Sequence, residues 1–148
     1  MKSTAQDFLD TLSESIGVPL AYREDLTCCL STPEGLEIQI EWAPEHRANV
    51  FLSPLGQLPA GCGEQRCREL LVANFLFRGT RGETISLEDS TDRIMLCQQF
   101  DPEKTTTADA VDTFRRFADT ASQWRNHLLH NGVYDQHNLA DTPGMLRA

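Results

Sequence analysis

The chain has 148 residues, of which 40% are hydrophobic and 24% charged, and its formal net charge is −9. That balance fits one globular domain with a real core and excludes a wholly disordered chain. The acidic field opposes nucleic-acid phosphates, and no run reaches the roughly 20 apolar residues of a membrane helix.

Lys2 is followed by Ser3, Thr4, Gln6 and Asp7, so no secretory signal is expected at the start. Residues 3–16 read as a helix. Ser3 and Gln6 have capping-box spacing, and Ala5, Phe8, Leu9, Leu12 and Ile16 recur at helical period. Gly17 and Pro19 stop it.

Three strands are expected next. The first covers Leu26 to Ser31, where Leu26, Cys28 and Leu30 alternate with Thr27, Cys29 and Ser31. Thr32-Pro33-Glu34-Gly35 has turn chemistry. In the second strand Leu36, Ile38, Ile40 and Trp42 alternate with Glu37, Gln39 and Glu41, so one face is buried and the other is wet or partner-facing. The third covers Asn49 to Ser53 and ends before Pro54. Short turns between them predict an antiparallel meander. Three Gly and two Pro make residues 54–63 a loop.

The second helix is expected from Glu64 to Arg78, with Gly79 as its stop. From Leu70 to Phe77 only Asn74 is not apolar, so every side of this helix needs cover. Leu70, Leu71, Ala73 and Phe75 can pack on the sheet. A second copy of the chain is the simple cover for the remainder, through Val72, Phe75, Leu76 and Phe77. Burial inside one copy, between the sheet and another helix, is the alternative.

Strands at Thr84–Glu88 and Arg93–Gln99 flank the turn residues Asp89-Ser90-Thr91-Asp92 and predict a hairpin. The third helix is expected from Thr106 to His130. Val111, Phe114, Phe117, Ala118, Ala121, Trp124 and Leu128 form its apolar stripe, and the opposite face includes Gln123 and His127. Residues 131–148 are polar with Gly and Pro and read as a flexible tail after a domain of residues 1–130. The order α-β-β-β-α-β-β-α predicts an α+β fold, a mostly antiparallel twisted sheet packed with helices.

No cofactor or metal is expected. Cys28, Cys29, Cys62, Cys67 and Cys97 make an odd count, and the Cys62–Cys67 spacing fits neither a zinc site nor a redox CxxC. A thiol enzyme would need one of them beside His46, His127, His130 or His137, and no catalytic motif supports it. Arg78-Gly79-Thr80-Arg81-Gly82 follows a helix, whereas a phosphate cradle opens one. Asp89 and Asp92 suit a turn better than a calcium loop.

One stretch carries a family resemblance. It runs Glu69-Leu70-Leu71-Val72-Ala73-Asn74-Phe75-Leu76-Phe77-Arg78-Gly79-Thr80-Arg81-Gly82-Glu83-Thr84-Ile85-Ser86-Leu87-Glu88 and continues through Thr91-Asp92-Arg93-Ile94-Met95-Leu96. It resembles the apolar second helix, Gly-Thr-x-Gly turn and hairpin of the class I type III secretion chaperones, the Tir chaperone family. The resemblance implies a homodimer joined through the second helix in the bacterial cytoplasm. It implies a non-enzymatic chaperone that holds the N-terminal segment of a secreted effector extended, soluble and competent for export. A secretion-apparatus ATPase is a further partner candidate, and neither nucleic acid nor membrane insertion is implied. Leu30, Leu36, Ile38, Ile40, Trp42 and Phe51 are the expected effector contacts. The rival reading is an adaptor or regulator of the same fold that binds a folded partner.

Overall fold

The computed structural model describes residues 4–61 and 63–130. In chain order the elements are α1 (Thr4–Ile16), β1 (Thr27–Ser31), β2 (Glu37–Ala43), β3 (Ala48–Gln57), α2 (Gly63–Asn74), a 3-10 turn (Phe75–Phe77), β4 (Thr84–Glu88), β5 (Arg93–Phe100) and α3 (Thr107–His130). The five strands form one antiparallel sheet in the order β1-β2-β3-β5-β4. The predicted α+β order is therefore observed. Ser3, Cys62 and the tail expected over residues 131–148 lie outside the described residues.

The chain divides into two compact units. Among the described residues, the first holds residues 4–52 together with Gln98–Ala118, and the second holds residues 53–61, 63–97 and 119–130.

The first unit closes on aromatic side chains. Phe8 of α1 meets Phe51 of β3 at 5.8 Å between centroids and Phe100 of β5 at 4.9 Å. Phe51 also meets Phe114 and Phe117 of α3 at 5.4 and 5.6 Å. Offset and edge-on rings at these separations add attraction beyond the apolar area that they bury. In β1 and β2, Cys28 faces Ile40 and Leu30 faces Ile38. Gly35, at φ +80°, lets the intervening turn close with its N–H on the Thr32 carbonyl at 2.9 Å.

Strand β3 is longer than predicted, because it runs through Pro54 to Gln57. The missing N–H of a proline stops a strand only where the ladder needs it. The pairing of β3 with β2 ends at Leu52, opposite Gln39, so Pro54 lies beyond it.

Helix α2 is shorter than predicted and ends at Asn74, not Arg78. The Asn74 side chain explains the early stop. Its amide donates to the Ile85 carbonyl and its oxygen accepts from the Ile85 N–H, each at 2.9 Å. The chain then turns through Leu76 and Phe77, both in the left-handed region at φ 51° and 55°. Gly79 folds back onto the helix, its N–H on the Ala73 carbonyl at 2.9 Å. Helix α3 begins on a reciprocal cap. Thr106 Oγ1 accepts from the Asp109 N–H at 3.1 Å and its hydroxyl donates to the Asp109 carboxylate at 2.6 Å.

Candidate interaction surfaces

In the second unit, α2 is two-sided in a way that its sequence hides. Arg66, Glu69, Leu70 and Ala73 are buried. With 100° per residue they occupy one side of the helix. Glu64, Arg68, Leu71 and Phe75 fall within about 60° of one another on the other side, and all four are exposed. Leu71 is 69% exposed and Phe75 60%. The left-handed turn then displays Leu76 at 66% and Phe77 at 51%, and the Arg78 guanidinium sits 5.5 Å above the Phe75 ring. Val72 is half-buried.

The expected dimer residues Val72, Phe75, Leu76 and Phe77 are thus brought together, three of them in the open. The packing expected for Leu71 and Phe75 is corrected, since both point outward. Their inner places are taken by a charged pair that apolar counting missed. Glu69 Oε2 accepts from Arg66 Nη1 at 2.7 Å and Glu69 Oε1 lies 2.8 Å from His127 Nε2. The i,i+3 spacing of Arg66 and Glu69 was a readable signal for it. His127, expected on a solvated face, is only 14% exposed at its side chain and stands edge-on to Trp124.

The apolar tip is held in place by polar pins. Trp124 is fully buried, and its indole N–H donates to the Gly79 carbonyl at 2.7 Å. Gly79 itself packs so tightly on Ala73 that an added Cβ would stand 2.8 Å from the Ala73 Cβ. With the Asn74–Ile85 bracket, these contacts hold the turn that displays Phe75, Leu76 and Phe77.

In the first unit, the expected effector contacts occupy one sheet face. The register places Leu30 opposite Ile38, Ile40 opposite Phe51 and Trp42 opposite Asn49, and alternation puts all of them on the same side. This is the side that the phenylalanine cluster covers. Leu36, Ile38, Ile40 and Phe51 are each at most 3% exposed, while Leu30 and Trp42 are half-buried at the margin. Helices of the same chain thus cover Leu36, Ile38, Ile40 and Phe51, while Leu30 and Trp42 stay partly accessible. The opposite face carries Cys29 and Ser31 of β1, Glu37, Gln39 and Glu41 of β2, and Val50 and Leu52 of β3. None of these is fully buried.

The remaining chemistry is quiet. Burial pushes the Cys28 and Cys97 thiols up, away from the thiolate form that a nucleophile needs. Burial likewise raises the Tyr22 phenol, which donates to the Asn49 side-chain oxygen at 2.7 Å. Among the described residues no group of three or more His, Cys, Asp or Glu is placed to hold a metal ion. No described helix is long and apolar enough to cross a membrane.

A helix-covered antiparallel sheet that displays a pinned apolar projection defines a protein-binding module. The family model of the Tir chaperone protein (CesT) family matches residues 7–125, and the chain belongs to that family. No curated protein matches it in sequence.

Solved structures share the fold at low identity. A chain of the heterodimeric ExoU–SpcU complex from the type III secretion system of Pseudomonas aeruginosa is 24% identical, with a TM-score of 0.65 over 82% of this chain and 94% of that one. The Yersinia pestis type III secretion chaperone SycH, in complex with a fragment of YscM2, is 15% identical, with a TM-score of 0.62 over 80% and 97%. The E. coli protein YbjN, a proposed transcription regulator, is 14% identical, with a TM-score of 0.63 over 84% and 92%. At these identities the likeness is one of fold alone.

Proposed function

We propose that the protein is a cytoplasmic type III secretion chaperone that acts as a homodimer, without catalysis. It binds the N-terminal segment of a secreted effector in extended form and keeps that segment soluble and fit for export. Membership of the Tir chaperone family over residues 7–125 carries the reading. The low-identity relatives include chaperone–effector complexes. The exposed Leu71, Phe75, Leu76 and Phe77 support the homodimer, since large apolar side chains gathered on one projection are ordinarily covered. Leu30 and Trp42 are the proposed effector contacts that a peptide can reach without opening the core. An extended peptide gains backbone hydrogen bonds along strands and seats apolar side chains between them, and a large contact offsets its ordering entropy.

Amide exchange on the effector, free and bound, tests the chaperone reading. The N-terminal segment should exchange fast alone and become protected in the complex. An effector already protected there before binding would favour an adaptor for folded partners. Light scattering tests the dimer. Val72→Asp with Leu76→Asp should convert dimer to monomer, because like charges would meet in a desolvated seam at a cost of several kcal/mol. Wild-type protein that runs as a monomer at micromolar concentration would sink the homodimer.

A further inference from the structure

Asn49 is a polar residue on an apolar face. It shares that side of the sheet with Ile40, Trp42 and Phe51, and it is fully buried. Its side-chain oxygen accepts from the Tyr22 hydroxyl at 2.7 Å, while among the described residues its Nδ2 donor meets no acceptor. A buried donor left unpaired costs stability that an apolar residue at this position would not lose. Packing alone therefore gives no reason for the second half of this amide.

The chain itself shows what completes such an amide. Asn74 accepts from the Ile85 N–H and donates to the Ile85 carbonyl, so one backbone residue satisfies both of its ends. At Asn49 the Tyr22 hydroxyl supplies the donor half of that pairing, and no described residue supplies the acceptor half. Tyr22 is half-buried, on a segment pinned to either side of it. Ser13 Oγ accepts from the Leu20 N–H at 3.2 Å, and the Arg23 N–H donates to the Thr27 carbonyl at 2.8 Å. Trp42, opposite Asn49, is half-buried, and its N–H donates to the carbonyl of the exposed Leu26 at 3.0 Å. Asn49 thus neighbours the accessible margin of the face.

Resting on the chaperone reading, we propose that Asn49 is a backbone clamp for the bound effector segment and that Tyr22 is its lid. Tyr22 rotates off Asn49 with the pins on either side of it intact. A residue of an extended peptide then gives its N–H to Oδ1 and its carbonyl to Nδ2. The chemistry selects this guest. An anion would strand Oδ1, and a cation would strand Nδ2. A backbone residue carries a donor and an acceptor side by side, whatever its side chain. Trp42 and Leu30 hold neighbouring apolar side chains of the peptide, and the clamp fixes its register without reading its sequence.

The test is a peptide titration with paired deletions. The probe is the tightest binder from an array of overlapping peptides that cover the N-terminal segments of the source organism's secreted proteins. Tyr22→Phe removes the lid's hydrogen bond and keeps its ring, so the probe should bind about fivefold more tightly. Asn49→Leu should weaken it about tenfold. Methylation of the probe's backbone nitrogens, one at a time, should find a position that costs about tenfold with wild type and nothing with Asn49→Leu. Should Asn49→Leu fail to fold, Asn49→Val, a smaller strand former, takes its place. Unchanged affinity in Tyr22→Phe would overturn the lid. Methylation costs that are the same in wild type and the Asn49 variant would overturn the clamp and make the Tyr22–Asn49 bond a structural one. Either result leaves the chaperone reading standing. A wild type that binds no peptide of the array would overturn both.

Discussion

The two units solve the same problem differently. The first seals its apolar face with its own rings, and five phenylalanines converge there from α1, β3, β5 and α3. The second buries a tryptophan and an Arg–Glu pair beside a half-buried histidine, and it turns leucine and phenylalanine outward. The second unit also buries Leu70, Ile85, Ile94 and Leu96, so around α2 an apolar residue alone does not tell core from surface. Asn74, Trp124 and the Arg66–Glu69 pair hold the second unit's turn, each matched to a partner. That matching specifies geometry more sharply than apolar packing does.

The largest effect expected from this contrast comes from paired truncations. Phe51→Ala should cost about 3–5 kcal/mol in chemical denaturation, since it opens a cavity among four other rings. Phe77→Ala should change monomer stability by no more than about 0.5 kcal/mol and should act on association instead. Equal losses from the two would erase the distinction between the units.

Next is Glu69→Gln, which leaves the buried Arg66 without a counter-charge. About 3 kcal/mol of stability should be lost, and a change of less than about 1 kcal/mol would mean that the pair is solvated. Trp124→Phe ranks third. It strips the Gly79 carbonyl of its buried donor and should cost about 1–3 kcal/mol, with faster amide exchange confined to residues 74–85. Uniform acceleration across the whole chain would show that Trp124 is general core and not a pin.

Much of this was legible in the sequence, for reasons that single residues make plain. Strand β2 was readable because Ile38 and Ile40 alternate with Gln39 and Glu41, and α3 because its stripe repeats at helical period. The end of α2 was not. Nothing local to Asn74 says that its amide will bracket Ile85, eleven residues on. The face of α2 was obscured for a related reason. Arg66 and Glu69 read as surface residues until each is seen to neutralise the other inside. Of the six residues expected at the effector, Leu30, Ile38, Ile40, Trp42 and Phe51 share one face of the sheet by register. Alternation alone does not say whether a partner or the chain's own helices cover it.

The smallest effect belongs to the hairpin turn of the second unit. Glu88 accepts from Arg93 at 2.8 and 3.1 Å and from the Thr91 hydroxyl. These bonds pull its carboxyl down from 4.5 to about 2. The folded form therefore binds fewer protons than the unfolded one between those values. The contribution is present above 4.5 and is lost as the pH falls toward about 2. Glu88 lies at the surface, where solvent screens its charge, so the slope should be shallow. Thermal melts of Glu88→Gln through that window should lose it, and an unchanged slope would assign it to other carboxylates.

Asn74 has a consequence for how the protein behaves in a crowded cell. Strand β4 is the last in the sheet, and an unpaired margin of this kind invites stray chains to stack onto it. The amide of Asn74 occupies both backbone groups of Ile85, the second residue of that strand. It works as a stopper, since a side chain cannot be lengthened into a fibril as a strand can. For a protein proposed to handle extended polypeptide, that stopper shortens the margin on which a client chain could stack.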